Sequence, residues 1–174
     1  MDKYGVYVGR INPLHLGHEA VAGKMLKMFG SDNSLMVIGS STAPFSLRHF
    51  FSYEERENFA KKIFPNLKVV GLPDYPTDKE WLIALDDILF ANGFDLERTV
   101  FFGGCKEDVS FFIDAGRECH IIDRFDGTTP VISATEIRER LVDDQSIGGM
   151  VNSIIEDEVR TLFAEKQKKF GDVL

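Results

Sequence analysis

The chemistry in this chain is read first at Gly9-Arg10-Ile11-Asn12-Pro13-Leu14-His15-Leu16-Gly17-His18. Two imidazoles separated by two residues can point the same way from a helix start. A glycine between them allows a ligand close to the backbone, and an arginine upstream adds charge. Three readings fit that spacing: His15 and His18 grip one polyphosphate, or form half of a metal site, or are incidental helix-start histidines. A metal site needs further ligands, and the other histidines, His49 and His120, have no helpful neighbour in sequence.

A second constellation lies far down the chain at Ile132-Ser133-Ala134-Thr135-Glu136-Ile137-Arg138. Ser133 and Glu136 have the spacing of a capping box, which opens a helix and leaves the amides of Ala134 and Thr135 facing whatever lies ahead. Thr135 and Arg138 add a hydroxyl and a guanidinium on one face, the makings of a second phosphate clamp. A cap without a ligand accounts for the same Ser-x-x-Glu. Arg48, in a loop just ahead of a helix start, either reaches a ligand above a sheet or is a plain surface arginine. Trp81 is either core or a flat ring that stacks on a base or pyridinium, with Asp74 or Asp78 complementing positive charge. Asp78 also suits the N-cap of its helix. Lys106, after Gly103-Gly104 at a strand end, can reach a phosphate.

These residues need a scaffold that gathers them. Tyr4 to Val8, Leu35 to Ile38, Leu67 to Leu72, Thr99 to Phe102 and Cys119 to Ile122 read as strands, the second a continuous apolar run suited to a buried parallel sheet. The first helix is expected over Glu19 to Phe29, with Val21, Met25 and Met28 inward and Gly30 as C-cap. Further helices are expected from a Ser52/Glu55 capping box through Ile63, over Lys79 to Ala91, and over about Val109 to Ala115. The tail from Met150 to Phe163 reads as a lid or packing helix with Val151, Ile154, Ile155, Val159 and Leu162 inward, then a solvated lysine-rich end. Strands alternating with helices predict an α/β, Rossmann-like, doubly wound parallel sheet of about five strands in the order 3-2-1-4-5, with a C-terminal helical tail. Both constellations then lie at the carboxyl edge of the sheet, where such folds hold ligands.

With 174 residues, 44% of them hydrophobic, the chain suits one well-packed α/β domain, residues 1–174, with C-terminal helices over about 134–168 packing on the core. A net charge of −8 argues against a nucleic-acid groove or an anionic membrane surface, so any anion must be held by a local cluster. No apolar run is long enough to cross a bilayer, and Met1-Asp2-Lys3 leads straight into a strand without a signal-peptide core, so a cytoplasmic protein is expected. Cys105 and Cys119 form no CxxC pair and are expected to be reduced.

Gly-Arg-x-x-Pro-x-His-x-Gly-His resembles the signature of the HxGH nucleotidyltransferases. Its opening resembles nicotinamide-nucleotide adenylyltransferases of the archaeal type and of bacterial bifunctional adenylyltransferase/Nudix proteins. Leu47 to Arg56 is similar to that family's Arg-x-Pro-Phe/Trp-[Ser/Thr]-x-x-Glu-Arg, with Phe50 replacing proline; here Glu55 and Arg56 read as structural. Asp-x-x-Trp at Asp78 to Trp81 resembles its nicotinamide pocket, and Ser133 to Arg138 resembles its Ser-x-Thr-[Glu/Asp]-Ile-Arg. Ile11 and Asn12 stand where the family has Phe and Gln, and Gly104 where bacterial members carry His.

The resemblance implies adenylyl transfer from ATP to nicotinamide mononucleotide, giving NAD and pyrophosphate. It implies His15, His18, Arg48 and Arg138 as catalytic, and Gly9, Arg10, Gly17, Ser133, Thr135 and Lys106 at the ATP phosphates. Asp74, Asp78 and Trp81 would hold the mononucleotide. Mg²⁺ would come mainly on the ATP phosphates, with no dedicated protein ligands, and the protein would be a homo-oligomer with neither nucleic-acid nor membrane partners. Another HxGH transferase, for pantetheine phosphate or a cytidylyl group, or a non-catalytic nucleotide sensor, shares the phosphate motifs.

Overall fold

A computed structural model describes residues 2–122, 127 and 131–171. The elements run β1 (Tyr4–Gly9), α1 (Leu16–Phe29), β2 (Ser34–Ile38), α2 (Tyr53–Ile63), β3 (Lys68–Gly71), α3 (Asp78–Ala91), β4 (Thr99–Gly103), α4 (Lys106–Asp114), β5 (Glu118–Ile121), α5 (Ala134–Val142) and α6 (Ser153–Phe170). The strands form one parallel sheet in the order β3-β2-β1-β4-β5, as the alternation of elements predicts.

Period-2 alternation sends side chains to two separate cores. Tyr7, Met36, Ile38, Val100 and Phe102 face α1, α2, α5 and α6, while Val6, Leu35, Val37 and Phe101 face α3 and α4. Gly5 lets α1 sit hard against β1, since a Cβ there would lie 2.5 Å from Met25 Cγ. The end of α1 turns at Gly30, whose φ of 74° suits glycine.

Several local expectations shift. The first helix begins at Leu16, three residues before Glu19, because His15 caps it, and Met28 is exposed rather than inward. Asp78 is not an N-cap: Thr77 takes that place, in a capping box with Glu80, and Asp78 becomes the first helical residue. The helix expected at Val109 starts at Lys106. Ser133 caps α5 by accepting from the Glu136 N–H, but the Glu136 carboxylate turns to Arg140, so the box is one-sided.

The tail is a packing helix. Phe163 stacks on Phe50 with ring centroids 4.1 Å apart, and Lys62 pairs with Glu158 at 2.5 Å. Ile154 faces solvent because the α6 stripe runs through Ile155, Val159 and Phe163. Its lysine end is only partly solvated, since Lys166 turns back to Glu55 and donates to the Phe50 carbonyl at 3.0 Å. Neither cysteine is in a disulfide. Among the described residues, no helix is long and apolar enough to cross a membrane.

Candidate active site

The loop after β1 is built from an unusual backbone: Ile11 has φ +41° and the Asn12-Pro13 peptide is cis. Asn12 holds it from within. Its side-chain amide donates to the Phe51 carbonyl at 3.1 Å and its Oδ1 accepts from the Phe51 N–H at 3.0 Å, so one side chain pairs like a strand with the loop after β2. Asn12 thus ties two loops together as well as lining the cleft between them. Arg56, buried on α2, donates to the carbonyls of Arg10 and Gly39, both at 2.8 Å, and of Ser40 at 3.0 Å.

His15 and His18 form a reciprocal cap at the start of α1. His15 Nδ1 accepts from the N–H of Gly17 at 3.1 Å and of His18 at 3.4 Å, and His18 Nδ1 accepts from the His15 N–H at 3.2 Å. A ring nitrogen that accepts carries no proton, so each neutral imidazole bears its proton on Nε2. The rings stack with centroids 3.6 Å apart. The spacing that allowed phosphate, metal or incidental readings thus delivers two oriented donors at one helix N-terminus. Gly17 is buried beneath them, its N–H used by His15, and does not line the cleft.

Arg138 anchors the other side. Buried in α5, it donates to the Asn12 carbonyl at 2.5 Å and to Thr135 Oγ1 at 3.2 Å, joining the two constellations across the cleft. Arg48 approaches from the loop before α2. Burial holds the Arg138 guanidinium below its ordinary pKa, and the charges of Arg10 and Arg48 push the same way. Arg10 is lowered likewise, by burial and then by Arg48, with Asp74 opposing. None of the three is ion-paired to a carboxylate among the described residues. Converging cations whose main electrostatic contact is mutual repulsion are a site prepared for an anion.

These groups line an open cleft of about 840 Å³, with Gly9, Arg10, His15, His18, Arg48, Ser133, Thr135 and Arg138 on its walls. Two smaller hollows of about 360 and 340 Å³, which share Trp81 and Asp74, border it through common wall residues. Trp81 packs edge-on against Phe111 with centroids 5.6 Å apart, and its pocket also takes Tyr75 and Asp78. Asp74 accepts from Ser40 Oγ at 2.9 Å. Lys106 is exposed at the start of α4 and lines none of the three hollows. His120 lies against Phe102 on β5, away from the cleft.

Asp108, absent from the sequence-based site, lines both the large cleft and the Trp81 pocket. An acid in a helix's first turn is an ordinary dipole partner, and Glu107 shares that turn, so nothing in its spacing marks Asp108. Among the described residues, no three His, Cys, Asp or Glu side chains gather as a metal cage.

The cytidylyltransferase-like family model matches residues 6–140, from β1 into α5. The chain belongs to that family. Within the cytidylyltransferase-like proteins, it is 30% identical over 154 residues to the nicotinamide-nucleotide adenylyltransferase of Thermococcus onnurineus, covering 83% of this chain and 75% of that one. The Thermococcus kodakarensis protein of the same name is 26% identical over 171 residues, covering 93% of this chain and 85% of its own. In three dimensions the chain resembles a bifunctional NMN adenylyltransferase/ADP ribose pyrophosphatase from Francisella tularensis, with TM-score 0.74 and 20% identity over 99% of this chain. It spans only 50% of that protein's length.

Proposed function

We propose that this protein is a nicotinamide-nucleotide adenylyltransferase, joining nicotinamide mononucleotide and ATP to give NAD and pyrophosphate. The observation that carries the reading is the adjacency of the cationic cleft and the Trp81 pocket, which share wall residues: the first suits phosphates, the second a flat cation flanked by Asp74 and Asp78. Residues 1–174 act in this reading as one nucleotidyltransferase domain.

The chemistry asks little of the protein beyond position and charge. The mononucleotide 5'-phosphate oxygen attacks the α-phosphorus of ATP in line. A new P–O bond forms as the bond to the β-phosphate bridging oxygen breaks, and the electron pair leaves on pyrophosphate. A phosphate is already a competent nucleophile, so neither a covalent intermediate nor a general base is required. The Nε2–H groups of His15 and His18 donate to the triphosphate, His18 near the α-phosphate. Arg10, Arg48 and Arg138, with Thr135 and Ser133, stabilise the developing charge and the departing pyrophosphate. Gly9 lets the chain pass close to the phosphates, and Lys106 supplies charge at the rim.

A divalent cation enters as part of the metal–ATP substrate. Mg²⁺ suits this arrangement, because it binds through phosphates and water with few protein ligands. A structure of the Francisella relative is complexed with AMP and a Mn ion, which supports a divalent requirement. A cytoplasmic homo-oligomer completes the reading; light scattering tests its mass.

The deciding experiment is pyrophosphate release from ATP and Mg²⁺ with nicotinamide mononucleotide, nicotinate mononucleotide or phosphopantetheine, and from CTP with glycerol-3-phosphate. Release with the first and formation of NAD is expected. No turnover with any acceptor, alongside measurable ATP binding, would move the assignment to a nucleotide sensor.

A further inference from the structure

Among the described residues, two are shared by the walls of the cationic cleft and of the Trp81 pocket: Val8 and Asp108. Val8 offers no polar side chain, so Asp108 is the polar side chain at that junction. A mononucleotide with its phosphate among the arginines and its ring on Trp81 must pass its ribose across the same point.

The position of Asp108 is set by the fold. It sits in the first turn of α4, and its Oδ2 accepts from the Gly104 N–H at 2.9 Å, tying the carboxylate to the end of β4. Gly103 lets that turn press on the strand, since a Cβ there would lie 2.6 Å from Val109 Cγ1 and 3.0 Å from Asp108 Cβ. A carboxylate is an acceptor with two oxygens side by side, which matches the two adjacent hydroxyls of a ribose. The charge it brings would be wasted on the phosphates, from which it is repelled, but a hydroxyl pair donates to it directly.

We infer that Asp108 accepts hydrogen bonds from the ribose hydroxyls of the mononucleotide whose ring lies at Trp81, and so discriminates ribonucleotides from their deoxy analogues. The inference rests on the adenylyltransferase reading for the placement of that mononucleotide, not for turnover.

The test is therefore binding, by calorimetry without ATP, of nicotinamide mononucleotide and its 2',3'-dideoxy analogue to wild type, Asp108→Asn and Asp108→Ala. Wild type is expected to bind the analogue about 10- to 100-fold more weakly, the effect of losing hydrogen bonds to a charged acceptor. Asp108→Ala should bind both ligands within about twofold of each other, and Asp108→Asn should fall between. Equal binding of the two ligands by wild type overturns the inference without any variant. A uniform loss of both ligands in Asp108→Ala also overturns it, pointing to a countercharge for the ring. Ribose discrimination that Asp108 controls on ATP and 2'-deoxy-ATP, and not on the mononucleotide, overturns it as stated. Wild type that shows the discrimination but forms no NAD when ATP is added would sink the catalytic reading and leave this inference standing.

Discussion

Replacing Arg56 with Met tests whether one buried guanidinium holds the site together. Arg56 is 2% exposed. It donates to the carbonyls of Arg10, Gly39, Ser40 and, through Nε, Ser52. The first three belong to the loops that follow β1 and β2, on the walls of the cationic cleft and of the hollow beside it. Methionine matches the length of the stem and removes every donor. A stranded buried acceptor costs about 1–3 kcal/mol; taking the lower half of that range for three carbonyls, because the cleft admits some water, gives about 3–6 kcal/mol. With a urea dependence of about 2 kcal/mol per molar, the unfolding midpoint should fall by about 2 M. Arg56→Lys, with three donors on a point charge, should recover part of it. The assay is equilibrium urea unfolding, with KM for ATP measured on the folded fraction and expected to rise as Arg10 loses its backbone support. A midpoint within about 0.3 M of wild type would refute the idea that these carbonyls depend on Arg56.

Trp81→Ala should raise KM for the mononucleotide about tenfold, the scale of a lost stacking contact, with KM for ATP unchanged and Trp81→Phe intermediate; equal effects on both substrates would remove Trp81 from the acceptor pocket. Burial raises the Glu19 carboxyl above its ordinary value, with the Asn152 hydrogen bond opposing, and its buried Oε1 has no hydrogen-bond partner among the described residues. Below the ordinary glutamate pKa of about 4.3, folded and unfolded chains both hold that proton; above the raised value both have lost it and the folded state carries a poorly solvated charge. Stability is therefore lost as pH rises through that interval, so Glu19→Gln should stabilise the protein at neutral pH and leave it unchanged near pH 3, as thermal unfolding across pH would reveal. Phe163→Ala, which empties a side chain stacked on Phe50, should cost about 3–5 kcal/mol in chemical denaturation; a loss under about 1 kcal/mol would mean that α6 packs without it.

The strand order and the local geometry of the two constellations were legible because both rest on patterns among neighbouring residues. Apolar runs alternating with helical periodicity allow few parallel topologies, and crossovers of one hand select among them. His15 and His18 are close in the chain, so their spacing alone places them on one helix start, even though it left open what they do there. Helix ends were less legible. Thr77 and Asp78 are both good caps, and the choice fell to the residue whose partner, Glu80, completed the box. His15 is an uncommon cap that propensity would not select.

What the sequence by itself determined is the set of local devices: five strand patterns, the glycine and histidine turn after the first, and a hydroxyl and guanidinium on one helix face. Local devices follow from the spacing of adjacent residues and need no knowledge of the rest of the chain. Only the tertiary structure decided which of them share a cleft. It carried Arg138 to the Asn12 carbonyl, 126 positions away, and Asn12 to Phe51, 39 positions away. It left Lys106 outside the three hollows and set Asp108, an ordinary first-turn acid, between two pockets. Contacts across such separations depend on how helices seat on the sheet, and that seating is settled by the packing of the whole core rather than by any one stretch of residues.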